Sequence, residues 1–244
     1  MNRTQVERGA EAPSSIRARA TRAPWRRLTG LDWAMLGSVA LSVALNILSA
    51  RLGIGWVTAA LINLAVGGYL LALATRREWR PLLGRLFIFG AAAGLLELAT
   101  DAAGEQFAHS LIYPAGAPSL WASPLYMPLS WALVLTQLGY LAWRLAGALH
   151  LSWAMALCGL WAAANIPFYE EMAYYAGWWR YAPAPRLGHT PLYVLLFEGL
   201  IGASLPVLLR AVERRSWRLV VARGVVEGLW MSAAALCAWL LIGR

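Results

Sequence analysis

The feature that most constrains this chain is a series of apolar runs too long for β-strands and nearly free of charge. Trp33 to Ala50, Trp56 to Ala74 and Gly224 to Ile242 each approach the roughly 20 residues an α-helix needs to cross a bilayer's hydrocarbon core. Backbone groups in lipid must pair within their own segment, so runs of this length are read as helices. Composition agrees: 60% of the 244 residues are hydrophobic and 14% are charged, whereas a soluble domain carries roughly a quarter charged residues. The sequence predicts an all-α, polytopic transmembrane bundle of seven spans, over 31–50, 55–75, 84–106, 125–144, 149–167, 191–210 and 220–242. A basic tail over 1–28 precedes this domain, which occupies 29–244.

The net charge of +9 would suit a nucleic-acid partner, but its distribution argues against one. Arg76, Arg77, Arg80 and Arg85 fall between the second and third spans, and Arg210, Arg214, Arg215, Arg218 and Arg223 between the sixth and seventh. The tail holds Arg3, Arg8, Arg17, Arg19, Arg22, Arg26 and Arg27 without apolar periodicity, and reads as disordered and attracted to anionic lipid. The opposite side receives only Arg51, Arg180, Arg186 and Arg244. By the positive-inside rule the amino terminus is cytoplasmic, the membrane is the cell membrane and no nucleic acid is bound. The first run is long and lacks a clear small-residue cleavage site, so it is read as a span and not a signal peptide. Cys158 and Cys237 lie inside apolar runs as packing residues.

Ionisable residues within spans cost about 2.5–3.5 kcal/mol each on insertion scales and need a reason. Glu97, Asp101, Glu105 and His109 recur every fourth residue, along one face of the third span and its continuation. Glu198 lies within the sixth span, Asn46 and Asn63 in the first and second, and Asn165 just before Pro167. The plain reading makes Glu97 and Glu198 interhelical hydrogen-bonding groups and the outer carboxylates solvated helix ends. The chemical reading starts from the preference of a carboxyl in an apolar site for its protonated form, which makes it a proton donor. Aromatic ring faces nearby would then stabilise a carbocation. Tyr174, Tyr175, Trp178, Trp179 and Tyr181 supply such rings in 168–181, which either prolongs the fifth helix or lies in the interface as an aromatic belt. Glu97, Asp101 and Glu171 are expected to converge with this segment on one pocket. Asp32 and Glu227 read as structural.

Other chemistries fit less well. His109, His150 and His189 are too few for the spaced boxes of a di-iron oxygenase, and the remaining metal reading pairs the Glu97 to His109 stripe with His189. No Gly-rich phosphate loop, Asp-rich diphosphate pair or serine elbow is present. Neither a metal nor another cofactor is expected.

Gly116, Leu120, Pro124-Leu125, Pro128-Leu129 and Trp131 resemble the Pro-Leu pattern of the carotenoid hydratases of bacterioruberin-type pathways. In that family an acidic helix and a Tyr-bearing loop precede the pattern, as Glu97 to Tyr113 do here. A later Glu-containing segment is similar to Glu171 through Gly177, Trp179 and Tyr181. The heterodimer-type lycopene cyclases carry a Pro-x-Glu-Glu-x-x-Phe-Phe motif. Pro167-Phe-Tyr-Glu170-Glu171-Met-Ala-Tyr174-Tyr175 is similar, with one residue inserted and Tyr for Phe. The resemblance spans about residues 95–210. It implies protonation of a polyene double bond, followed by hydration or cyclisation, in a lipophilic isoprenoid drawn from membrane lipid. Glu97, Asp101, Glu170 and Glu171 are then the catalytic candidates. Tyr113, Trp131, Asn165, Tyr174, Tyr175, Trp178, Trp179, Tyr181 and Glu198 are the substrate-binding ones. A proton-coupled transporter, a lipid-binding protein and an accessory subunit of a membrane complex are the competing readings, and a homo- or hetero-oligomer stays open.

Overall fold

The computed structural model describes residues 28–243; residues 1–27 of the basic tail and Arg244 lie outside them. The described residues form seven α-helices: α1 (Gly30–Leu52), α2 (Trp56–Ala74), α3 (Arg80–Gln106), α4 (Met127–Ala148), α5 (Leu151–Ala176), α6 (Leu192–Leu208) and α7 (Trp217–Ile242). Of these, α1, α2, α3, α5 and α7 are long and apolar enough to cross a membrane. Large apolar side chains such as Leu64, Leu71, Trp153, Leu160 and Leu241 cover the outside of the bundle. An exterior so rich in apolar side chains belongs against acyl chains and not water, and the chain is a multi-pass membrane protein.

Helix ends follow local chemistry. Thr29 caps α1 in a reciprocal box with Asp32, whose carboxylate accepts from the Thr29 amide at 2.7 Å. Gly53 closes the same helix in the left-handed conformation, φ 60°. Gly177, φ 73°, does this for α5, and the Gly55 amide donates to the Ala176 carbonyl at 2.9 Å, joining the two turns. Pro167 does not end α5. The helix runs on to Ala176, which settles 168–176 as a prolongation of the fifth helix and shortens the following connection. A membrane helix tolerates an internal proline because its neighbours hold it in place.

The bundle is built around α3, which packs against α4 on one side and α7 on the other. Small residues permit this. A Cβ on Gly90 or Gly94 would meet the Ala132 or Pro128 carbonyl of α4 at 2.8 and 2.7 Å. One on Gly224 or Gly228 of α7 would meet the Phe89 or Ala93 carbonyl of α3 at 2.4 and 2.9 Å. Both pairs have the Gly-x-x-x-Gly spacing that lets membrane helices touch backbone to backbone. Helix α5 packs on α6, and α1 lies along α5.

The two arginine-rich connections meet at one end of the bundle, where Arg85 Nε donates to the Arg215 carbonyl at 2.9 Å. The long connections 107–126 and 177–191 meet at the other. There β1 (Leu111–Ile112) pairs antiparallel with β4 (Arg180–Tyr181), Leu111 opposite Tyr181. The hairpins β2 (Ser119–Leu120) with β3 (Ser123–Pro124) and β5 (Arg186–Leu187) with β6 (Thr190–Pro191) complete this cap. Phe89, Leu86, Leu205 and Leu209 are fully buried in the core.

Candidate functional site

From beneath the ribbon cap to Asp32 and Arg144 runs a cavity of about 990 Å³ with a largely apolar wall to which all seven helices contribute. On α4 its lining runs from Met127 to Arg144, a length of roughly 25 Å at the helical rise. That exceeds half of the roughly 30 Å hydrocarbon core, so an extended chain longer than one leaflet's acyl tails fits along it. Leu36, Val134 and Trp161 line it while being 50%, 41% and 56% exposed. The cavity therefore opens sideways, through the surface that lipid covers.

Four buried carboxyls face its capped end: Glu97 and Asp101 from α3, Glu170 from α5 and Glu198 from α6. Glu97 and Asp101 stand one turn apart on α3, and Glu198 and Glu170 line the same cavity from α6 and α5. None of the four forms an ion pair among the described residues. Asp101 accepts from the Tyr113 hydroxyl at 2.5 Å and from Ser123 Oγ at 2.6 Å. Glu170 accepts from Trp179 Nε1 at 2.8 Å and the Tyr181 hydroxyl at 3.1 Å.

The β1–β4 ribbon makes this arrangement, because it brings the Tyr113 connection beside the Tyr181 connection. Tyr113 and Tyr181 are half-buried as residues, but their hydroxyls point inward. Burial, reinforced by Asp101, holds the Tyr113 phenol well above its ordinary pKa; burial, reinforced by Glu170, does so for Tyr181. Both phenols stay protonated as donors. Edge-to-face contacts of Tyr113 with Trp179 at 6.5 Å and Trp131 with Phe197 at 6.4 Å fix the aromatic part of the wall.

Among the described residues, Glu97 Oε2, the Tyr126 hydroxyl and Trp131 Nε1 are buried without a hydrogen-bond partner, on residues that line the cavity.

A family match covers residues 98–242, more than half of the chain. The chain belongs to the DUF6989 family. This family is described as a domain of unknown function, and no curated protein and no solved structure matches the chain. Asp101, Tyr113, Trp131, Glu170 and Glu198 fall inside the DUF6989 match; Glu97 stands one residue before it, and α1 and α2 lie outside.

Within the DUF6989 member described here, the sequence-predicted residues divide. Glu97, Asp101, Glu170, Glu198, Tyr113, Trp131, Trp179, Tyr181 and Asn165 share the cavity, as does Trp178, bound through Nε1 to Thr58 Oγ1 at 2.9 Å. Glu171 does not join them, a correction to the expected convergence. Its carboxylate faces the other side of α5 and pairs with His189 Nδ1 at 2.7 Å. Neighbouring helical residues project about 100° apart, so Glu170 and Glu171 cannot both face the cavity. Tyr174 stacks on His189 with ring centroids 3.5 Å apart and Tyr175 is exposed, and neither lines the main cavity. The Glu97 to His109 stripe also breaks: α3 ends at Gln106 and His109 turns outward. Among the described residues no three His, Cys, Asp or Glu side chains are grouped to hold a metal.

Sequence reasoning missed Ser123, Tyr126, Tyr193 and Phe197. Ser123 and Tyr126 lie inside the Pro-Leu segment itself, and Phe197 beside Glu198. Asn63, read only as a polar residue within a span, donates to the Tyr126 carbonyl at 3.0 Å and Ser130 Oγ at 2.7 Å, fixing the start of α4. Asp32 and Glu227 are structural in form. Asp32 pairs with Arg144 at 2.9 Å, and Glu227 accepts from Ser204 at 2.8 Å.

Proposed function

We propose that this protein is an integral membrane enzyme of isoprenoid or carotenoid metabolism that protonates a polyene double bond. In this reading Glu97, one helical turn from Asp101 on α3, carries the acidic proton. Glu97 delivers it to one alkene carbon, and the other carbon becomes a cation beside the Trp131, Tyr113 and Trp179 rings. Water then adds and loses a proton to a carboxylate, or a second double bond closes a ring and the adjacent C–H gives up its proton. Glu170, held by Trp179 and Tyr181, is the second carboxyl for that step. The observation carrying this reading is the carboxyl pair set among aromatic rings in a cavity that opens to lipid. The likeness of 116–131 to carotenoid hydratases adds to it.

The test is expression in hosts that accumulate lycopene, a hydroxylated acyclic carotenoid or a prenyl quinone, with products resolved by chromatography and mass spectrometry. A product heavier by one water or an isomer of the substrate is expected. Unchanged pools in all three hosts would sink the proposal.

The same reading places all seven helices across the cell membrane with the arginine end in the cytoplasm. Reporter fusions at Gly116 and Arg186 are expected to score as external and those at Arg77 and Arg214 as internal. A cytoplasmic signal at Gly116 or Arg186 would overturn this topology.

A further inference from the structure

We propose that a second, smaller pocket in the cap is the route by which Glu170 exchanges protons with water, and that His189 is the group that passes them. This rests on the proposed role of Glu170 and concerns how that carboxyl is reset between turnovers. The pocket has a volume of about 70 Å³. Arg180 and Arg186, both exposed, line it together with His189, whose side chain is 26% exposed. Glu170, Trp179 and Tyr181 line it as well, and these three also line the main cavity. They form one hydrogen-bonded set, with both other side chains donating to the Glu170 carboxylate. Glu170 therefore belongs to the partition between an apolar cavity that opens to lipid and a polar pocket that opens to water.

Acyl chains carry no protons, so a carboxyl that takes one up in the main cavity needs another way to lose it. The small pocket supplies the means. A water needs about 10–15 Å³ of such space and two to four polar partners, so a few fit between Glu170 and His189. The His189 ring is fixed for the task. Its Nδ1 lies 2.7 Å from Glu171 Oε2 and its amide donates to Glu171 Oε1 at 2.8 Å. A carboxylate there keeps the ring hydrogen on Nδ1 and leaves Nε2 as the basic nitrogen. Among the described residues no hydrogen bond engages Nε2. Tyr174 stacks on the ring and Tyr175 meets it edge-on. The transfer is balanced: Glu170 gives its proton through water to Nε2, and the imidazolium releases it to water at the cap. Glu171 favours that imidazolium, and Arg180 and Arg186 oppose it, so the proton is not held. On the far side of Glu170, Glu198 and Tyr193 of α6 line the main cavity. The adjacent glutamates thus serve opposite sides of one partition, as their separation of about 100° around α5 requires.

Proton exchange of this kind outruns a chemical step of roughly 1–10³ s⁻¹, so the experiment reads exchange and not turnover. Full-length protein in lipid nanodiscs is given a pH jump and followed by time-resolved infrared spectroscopy. The C=O stretch of Glu170 is identified as the band lost in Glu170→Gln. In the wild-type protein this band is expected to follow the jump. His189→Asn keeps an N–H for Glu171 but cannot titrate, and is expected to slow the response at least about tenfold. His189→Gln, likewise without a titrating nitrogen, is measured beside it, so that a folding defect in one leaves the other to decide. A Glu170 band that ignores the jump would overturn the proposal, and so would an equally fast response in the folded His189 variants. Either result leaves the polyene reading standing, because no product is measured; that reading fails separately, on unchanged pigment and quinone pools.

Discussion

Glu97→Gln is expected to lower turnover at least about 100-fold, while Glu171→Gln leaves it within about twofold. The contrast follows from where the two carboxyls sit. Glu97 is 3% exposed, stands one turn from Asp101 and lines the cavity, whereas Glu171 faces away and is tied to His189. A positioned general acid contributes about 10² to 10⁴ in rate, and an amide of nearly the same shape cannot donate the proton. Glutamine preserves volume, so the folded fraction should be nearly unchanged and rates can be compared per folded molecule. Full activity in Glu97→Gln would remove the proposed acid. The reverse order, with Glu171→Gln inactive, would move the chemistry to the far face of α5 and leave the cavity unexplained.

The second large effect concerns folding. Gly224→Leu is expected to destabilise the protein by about 3 kcal/mol or more, at the upper end of overpacking costs, whereas Gly68→Leu is tolerated. A Cβ at Gly224 would lie 2.4 Å from the Phe89 carbonyl and 2.8 Å from Ala92 Cβ, so α7 must move off α3. At Gly68 nothing lies within 4 Å, and a leucine there gains helix propensity. In lipid the hydrophobic effect does not press helices together, so close packing is much of what holds this pair. Thermal unfolding of the purified variants in one detergent measures the contrast, and equal Tm values would show that the α3–α7 contact matters little.

Much of the helical framework was legible because a bilayer imposes a length on apolar runs. Glu97 and Asp101 were likewise placed together by their spacing, which a helix turns into adjacency. The Glu170 and Glu171 positions show where such reading fails. Ending the fifth helix at Pro167 discards its rotational phase, and without phase two adjacent glutamates look equivalent. Continued through the proline, the face holding Ala162 and Ile166 recurs at Glu170, and all three line the cavity. Tyr113 and Tyr181 meet through a two-residue ribbon between connections nearly 70 positions apart, a pairing that no local pattern announces. The Gly90–Gly94 and Gly224–Gly228 spacing went unread in the sequence, and the carbonyl each approaches is a fact of tertiary packing.

The sideways mouth of the cavity changes what concentration means for this protein. A lipophilic ligand entering past Leu36, Val134 or Trp161 arrives by diffusion in two dimensions, so its supply depends on its mole fraction among the surrounding lipids. Adding inert phospholipid at fixed amounts of protein and ligand should slow entry, while adding buffer should not. Affinities quoted in moles per litre would then differ between detergent micelles and vesicles even though the cavity is the same. Surface dilution, not bulk dilution, is the variable to hold constant when variants are compared.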